Sequence, residues 1–169
     1  MLLLTDSRGL FLSRSGTSLT DHRAVANSVA SQQFASDISH RSSGAPFLTM
    51  SSQHLSVSHT DSYVALLASE NPCGIDIELL NRNAAKVARR FTSLEETARV
   101  AHCFPCNPEL LIWCTKEAIY KRCQRPDAEL LHDFRVVDME QNEIFTMAFG
   151  ELVSAEYLIF NDLLIVFSR

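Results

Sequence analysis

Four short runs of strand-forming residues close the chain: Phe134–Val137, Glu143–Phe149, Ala155–Phe160 and Leu163–Phe167. Each is too short for a typical helix, and Asn161-Asp162 supplies a tight turn between the last two. Neighbouring strands joined this closely must pair antiparallel, and their sheet needs a cover for its apolar face. Helices upstream supply that cover. Thr20-Asp21 can cap a helix to about Ala35, with Val25, Val29 and Phe34 on one side. Ser93-Leu94-Glu95-Glu96 is a capping box that starts a helix to about Cys103. Asn107, followed by Pro108, starts a third that runs to about Cys123. The fold class is therefore α+β, with helices packed against an antiparallel sheet.

The remaining segments fit that plan. Met1–Leu4 and Leu10–Ser13 flank Asp6-Ser7-Arg8-Gly9 and predict a hairpin. Tyr63–Ala68 and Cys73–Glu78, separated by Asn71-Pro72, predict a second. The Ser-rich stretch from Ser39 to Gln53, with Gly44 and Pro46, predicts loop. With 169 residues, 46% of them hydrophobic and 21% charged, the chain suits one globular domain rather than a disordered tail. No apolar run approaches the roughly 20 residues a bilayer demands, and Asp6 interrupts the apolar start before a signal-peptide core can form. Five cysteines, an odd number without a secretory signal, predict reduced thiols and a cytoplasmic setting. Cys103-Phe104-Pro105-Cys106 is a CxxC pair, but it follows a helix instead of opening one. No second pair stands at zinc spacing, which favours a small helix-turn motif over a redox or metal site.

Charge is unevenly spread. The total is −5, which discourages bulk nucleic-acid binding. Residues 1–81 carry 4 Arg against 7 acids, and residues 126–169 carry 2 Arg against 9 acids. Residues 82–125 carry 9 basic groups against 4 acids and contain all three lysines. That basic middle suits a local anionic partner; Arg-rich, solvated helix faces explain it equally on charge alone.

Two places carry candidate chemistry. Alternation on a strand turns Asp76 and Glu78 to one face and Ile75 and Ile77 to the other. Two hard oxygen donors at that spacing suit Mg²⁺, or Mn²⁺, better than zinc; a wet acidic strand face fits the pattern as well. On the third helix, Trp113, Lys116, Glu117, Tyr120 and Gln124 recur at helical spacing, with Leu111, Cys114 and Ala118 on the core side. Glu117 and Lys121 are either a plain i,i+4 pair or, with Lys116, the carboxylate and ammonium groups that a metal–pyrophosphate complex requires. Ser58-His59-Thr60 stands just before the Tyr63 strand and could donate hydrogen bonds to a phosphate or a base. No phosphate-binding glycine loop, dinucleotide fingerprint or nucleophile elbow is present.

Taken in order, three motifs resemble the 4′-phosphopantetheinyl transferases: Ser56-Val57-Ser58-His59-Thr60, Gly74-Ile75-Asp76-Ile77-Glu78, and Trp113-Cys114-Thr115-Lys116-Glu117-Ala118-Ile119-Tyr120-Lys121. The last is similar to the Trp-x-x-Lys-Glu-x-x-x-Lys helix of the type that activates surfactin synthetase. Gly44-Ala45-Pro46 and Arg90-Phe91-Thr92-Ser93 with Glu95 and Glu96 resemble two further family segments, so the likeness runs from about Gly44 to Phe134.

The resemblance implies transfer of 4′-phosphopantetheine from coenzyme A to a serine of an acyl or peptidyl carrier protein, releasing 3′,5′-ADP. It implies that Asp76, Glu78 and Glu117 hold Mg²⁺ and that Glu117, or water beside it, takes the serine proton. Lys121 would neutralise the leaving nucleotide, Lys116 would contact phosphate, and Ser58 and His59 would bind the nucleotide end. Only about fifty residues precede the Ser-His motif, so residues 1–50 read as a shortened first subdomain and 51–169 as the motif-bearing one. Ala45 stands where the family has a basic residue, and Arg41 is the candidate substitute at the nucleotide's 3′-phosphate. A catalytically weak coenzyme A or carrier-protein binding module is the alternative function. A second subunit completing the site, a homo-oligomer, is the alternative assembly.

Overall fold

The computed structural model describes residues 2–169 and holds two antiparallel sheets. The first contains β1 (Leu2–Thr5), β2 (Leu10–Arg14), β3 (Ile38–His40), β4 (Pro46–Leu48), β5 (His54–Thr60) and β6 (Tyr63–Ser69) in the order β1-β2-β6-β5-β4-β3. The second contains β7 (Gly74–Leu79), β8 (Phe134–Glu140), β9 (Glu143–Ala148), β10 (Glu151–Phe160) and β11 (Leu163–Ser168) in the order β7-β11-β10-β9-β8. Helix α1 (Leu19–Phe34), a 3₁₀ segment over Ala84–Arg90, α2 (Leu94–Ala101) and α3 (Pro108–Cys123) complete the chain.

The layers follow from burial. Leu10, Leu12, Ala65 and Leu67 of the first sheet meet Ile75, Ile77, Leu163, Ile165 and Phe167 of the second, forming the core between sheets. Ala26, Val29 and Ala30 of α1 close the outer face of the first sheet over Val64 and Leu66. Leu110, Leu111, Cys114, Ala118 and Ile119 of α3 close the outer face of the second over Leu164 and Val166. All six residues of β11 are buried, because α3 lies on one side and the first sheet on the other.

The α+β plan, the three helices, the first hairpin and the four closing strands match the sequence reading, except that Met1 of the hairpin lies outside the described residues. Three points differ. Ser18, not Thr20 or Asp21, caps α1, and Asp21 sits at the third helical position, completing a capping box with Ser18. Residues 39–53 are not all loop: β3 and β4 pair over three residues around a turn at Gly44 (φ +86°). The expected pairing of residues 63–68 with 73–78 does not form, because β7 leaves the first sheet and pairs with β11 of the second.

Gly74 allows that departure. A Cβ at this position would run into the carbonyl oxygen of Ala118, so α3 lies against the bare backbone where β7 starts. Gly74→Ala is expected to destabilise the fold by about 2–3 kcal/mol through overpacking against backbone that cannot yield. Urea unfolding of the two proteins checks this.

Candidate active site

Strand β7 is hydrogen-bonded to β11 along one edge. Its other edge faces β5, which meets it with side chains instead of backbone. The backbone N–H of Ile75 donates to Ser56 Oγ (3.0 Å) and that of Ile77 donates to Ser58 Oγ (3.2 Å). Ser58 Oγ in turn donates to Asp76 Oδ1 (2.9 Å), and Thr60 Oγ1 reaches Glu78 Oε2 (3.5 Å). The alternating hydroxyls of Ser56, Ser58 and Thr60 therefore satisfy the strand edge and orient the two carboxylates on it.

Helix α3 approaches the same strand from the opposite side. Lys121 Nζ donates to the carbonyl oxygen of Ile75 (2.9 Å) and to Asp76 Oδ1 (2.7 Å). It is held by β7 and does not form the i,i+4 pair with Glu117. Asp76 is 6% exposed, and its Oδ2 is buried without a hydrogen-bond partner. Glu117 is half-buried; burial and the nearby charge of Asp76 push its carboxyl above the ordinary carboxylate range, against the pull of Lys121 and Arg82. Glu78 pairs with Arg82, the next basic group along the chain. The Cys114 thiol is a further donor beside the Asp76 carboxylate, too far from Oδ2 for a close hydrogen bond; burial first, then the charge and hydrogen bonding of Asp76, raise it well above the usual value, so it is an inert core thiol.

The donor set of Asp76, Glu78 and Glu117 consists of hard carboxylate oxygens, and the unpartnered Asp76 Oδ2 is the kind of buried acceptor that a divalent cation satisfies. These residues fit Mg²⁺ in kind. Among the described residues, no three His, Cys, Asp or Glu side chains stand ready-gathered for a metal, and Lys121 and Arg82 provide the positive charge.

A cavity of about 280 Å³ opens beside this cluster, lined by Gly44, Ala45, Pro46, Leu55, Val57, Tyr120, Lys121 and Gln124 among others. Lys121 thus borders the cavity and touches the acids. A second cavity of about 230 Å³ lies under α1, with His22, Arg23, His40 and His59 in its wall. The rings of His22 and His59 stack at 4.4 Å, and His22 Nε2 meets the carbonyl oxygen of Asp61 at 2.9 Å. Burial, His22 and Lys121 together lower the His59 pKa. Arg41 is exposed over the ring of Phe47 at 5.2 Å and does not line the first cavity.

Several expected sites thus come together and others do not. Asp76, Glu117 and Lys121 share one cluster, with Glu78 beside Asp76 on β7. Ser58 is buried and committed to Asp76 and Ile77, a different task from a nucleotide contact, while strand alternation turns His59 to the opposite face.

Lys116 is also different. It is fully enclosed, donating to the carbonyl oxygen of Phe91 (2.7 Å) and to Glu96 Oε1 (2.7 Å), so it has no open path to a phosphate. Glu96 accepts from Ser93 N and Val136 N as well, tying the start of α2 to α3 and β8. Burial pulls the Lys116 pKa down, and Glu96 opposes that pull. The sequence reading missed Arg82 and His22, and gave Ser56 no task beyond its place in the Ser56–Thr60 motif. Arg82 stands four residues after Glu78, and Ser56 shares the period of two with Ser58 and Thr60; His22 carried no signal beyond its place on α1.

The family profile of the 4′-phosphopantetheinyl transferase superfamily matches residues 72–159, just over half of the chain, and the chain belongs to that superfamily. The match contains Asp76, Glu78, Glu117 and Lys121 and begins after Ser58-His59. No curated protein matches the chain.

Two outcomes follow from this geometry. Lys116→Met is expected to cost about 3–5 kcal/mol in urea unfolding, since it leaves Glu96 buried without its cation; adding Glu96→Gln should restore part of the loss. The Glu117 pKa is raised on folding, so the folded chain holds that proton more tightly just above pH 4.5, and stability falls as pH rises through the raised value. Thermal melts without divalent cation should show Glu117→Gln above wild type at neutral pH, with the advantage gone below about pH 4.5.

Proposed function

We propose that this superfamily member transfers 4′-phosphopantetheine from coenzyme A to a serine hydroxyl of an acyl or peptidyl carrier protein. The observation that carries the reading is the double position of Lys121, which bonds Asp76 and borders the adjoining cavity. A diphosphate lying from that cavity towards Asp76 would meet an ammonium group first and the carboxylates next. Phosphoryl transfer is mostly positioning and charge neutralisation, and this set supplies both.

Each residue has a task in that reading. The serine oxygen attacks the phosphorus bearing the pantetheine arm, and the bond from that phosphorus to the bridging oxygen breaks. The leaving 3′,5′-ADP keeps the electron pair. Glu117, less acidic than an ordinary carboxyl because of burial and Asp76, accepts the serine proton. Lys121 places its charge beside the leaving oxygen. Asp76, Glu78 and Glu117 would hold Mg²⁺ or Mn²⁺, which supplies neutralising charge to the diphosphate. Ser58 keeps Asp76 aimed and is a positioning residue. Arg41, His59 and His22 are the candidates for the nucleotide end.

The alternative, a weak coenzyme A or carrier-binding module, is favoured by one observation: Arg82 and Lys121 already neutralise two of the three acids. Mass spectrometry of apo carrier protein incubated with the protein, coenzyme A and Mg²⁺ separates the two. A carrier heavier by one phosphopantetheine supports transfer; coenzyme A binding with no mass gain across several carriers favours the module. Asp76→Asn and Glu117→Gln are each expected to slow transfer about 10²–10³-fold, roughly 3–4 kcal/mol. Unchanged rates in both would remove the metal assignment. Cys103→Ser should leave the rate intact, since the exposed Cys103-Cys106 turn takes no part in the cluster.

A further inference from the structure

Glu78 and Arg82 are unequally placed. The Glu78 side chain is 11% exposed, whereas that of Arg82 is 50% exposed. The carboxylate, nearly out of solvent, requires a cation; the guanidinium, half in water, can leave at little desolvation cost. The Arg82 backbone is fixed independently of that pair. Its N–H donates to the carbonyl oxygen of Leu79 (3.0 Å), and its own carbonyl accepts from Asn107 Nδ2 (2.8 Å) at the α3 N-cap. While paired with Glu78, the guanidinium carbon also lies 5.7 Å from the centre of the Trp113 ring, so the cation has a favourable contact that does not depend on Glu78. Lys121 contrasts with this arrangement, being held by both Ile75 O and Asp76 Oδ1.

We infer that Arg82 is a displaceable internal counter-ion, holding Glu78 until a divalent cation binds the Asp76–Glu78–Glu117 cluster and takes over that carboxylate. The inference rests on the metal reading above and adds the residue that tunes it. The unpartnered Asp76 Oδ2 leaves an acceptor free for the incoming cation, so only Glu78 must change partner. Arg82 thereby lowers apparent metal affinity, and its release from Glu78 as metal binds changes its contact with Trp113. Trp113 is the single tryptophan of the chain and reports that movement.

Mn²⁺ uptake measured by electron paramagnetic resonance, without coenzyme A, tests the exchange in wild type, Arg82→Met and Arg82→Lys. Arg82→Met should bind Mn²⁺ about five- to tenfold more tightly, and Arg82→Lys should stay near wild type. Mg²⁺ titration should change Trp113 fluorescence in wild type and leave it flat in Arg82→Met. Circular dichroism melts of the variants confirm that both are folded at the assay temperature. Equal or weaker Mn²⁺ binding by Arg82→Met, or an unchanged fluorescence response, overturns this inference alone. No Mn²⁺ uptake by any of the three proteins overturns it together with the metal reading.

Discussion

Strand β7 has a partner strand on one edge only, and the rest of the site depends on how its other edge is satisfied. A buried backbone N–H without a partner is costly, and β7 is buried from Gly74 to Glu78. The hydroxyls of Ser56 and Ser58 accept from Ile75 and Ile77, and the ammonium group of Lys121 donates to the Ile75 carbonyl. Two of these groups, Ser58 and Lys121, also bear on Asp76. Ser58 and Lys121 share Asp76 Oδ1, which leaves Oδ2 free. The structural need for edge partners and the chemical need for an aimed carboxylate are therefore met by the same atoms.

Helix α3 divides its two lysines by angle. Lys116 and Lys121 are five positions apart, about 140° around a helix. One consequently reaches Glu96 and Phe91 on the α2 side, and the other reaches β7. The buried Lys116–Glu96 pair fixes α3 against α2 and β8, and Gly74 lets the same helix lie on bare backbone at the start of β7. Glu117 is thereby carried to its place beside Asp76 by contacts that touch neither residue.

Local signals for the elements were strong where one physical cause dominated. Ser93 with Glu96, and Asn107 with Pro108, mark helix starts because unpaired N–H groups need acceptors or a residue lacking one. The four closing strands stood out through their length and turns. The β3–β4 pair escaped notice because three residues carry almost no periodicity. Lys116 misled because its neighbours Trp113, Glu117 and Tyr120 are all partly exposed, and helical spacing cannot show that Glu96 lies ready to take its charge. Ser58 misled for a similar reason: its partner is a strand edge from another sheet.

Within the sequence itself, alternation determined that Asp76 and Glu78 share a face opposite Ile75 and Ile77, and motif order pointed to the family. Those are properties of neighbours along the chain, set by strand and helix geometry. Tertiary structure decided which charges meet: Lys121 with Asp76 in place of Glu117, Arg82 with Glu78, and Lys116 withdrawn to Glu96. Such pairings depend on distances between elements far apart in sequence and on the demand that every buried polar group find a partner, neither of which spacing along the chain encodes.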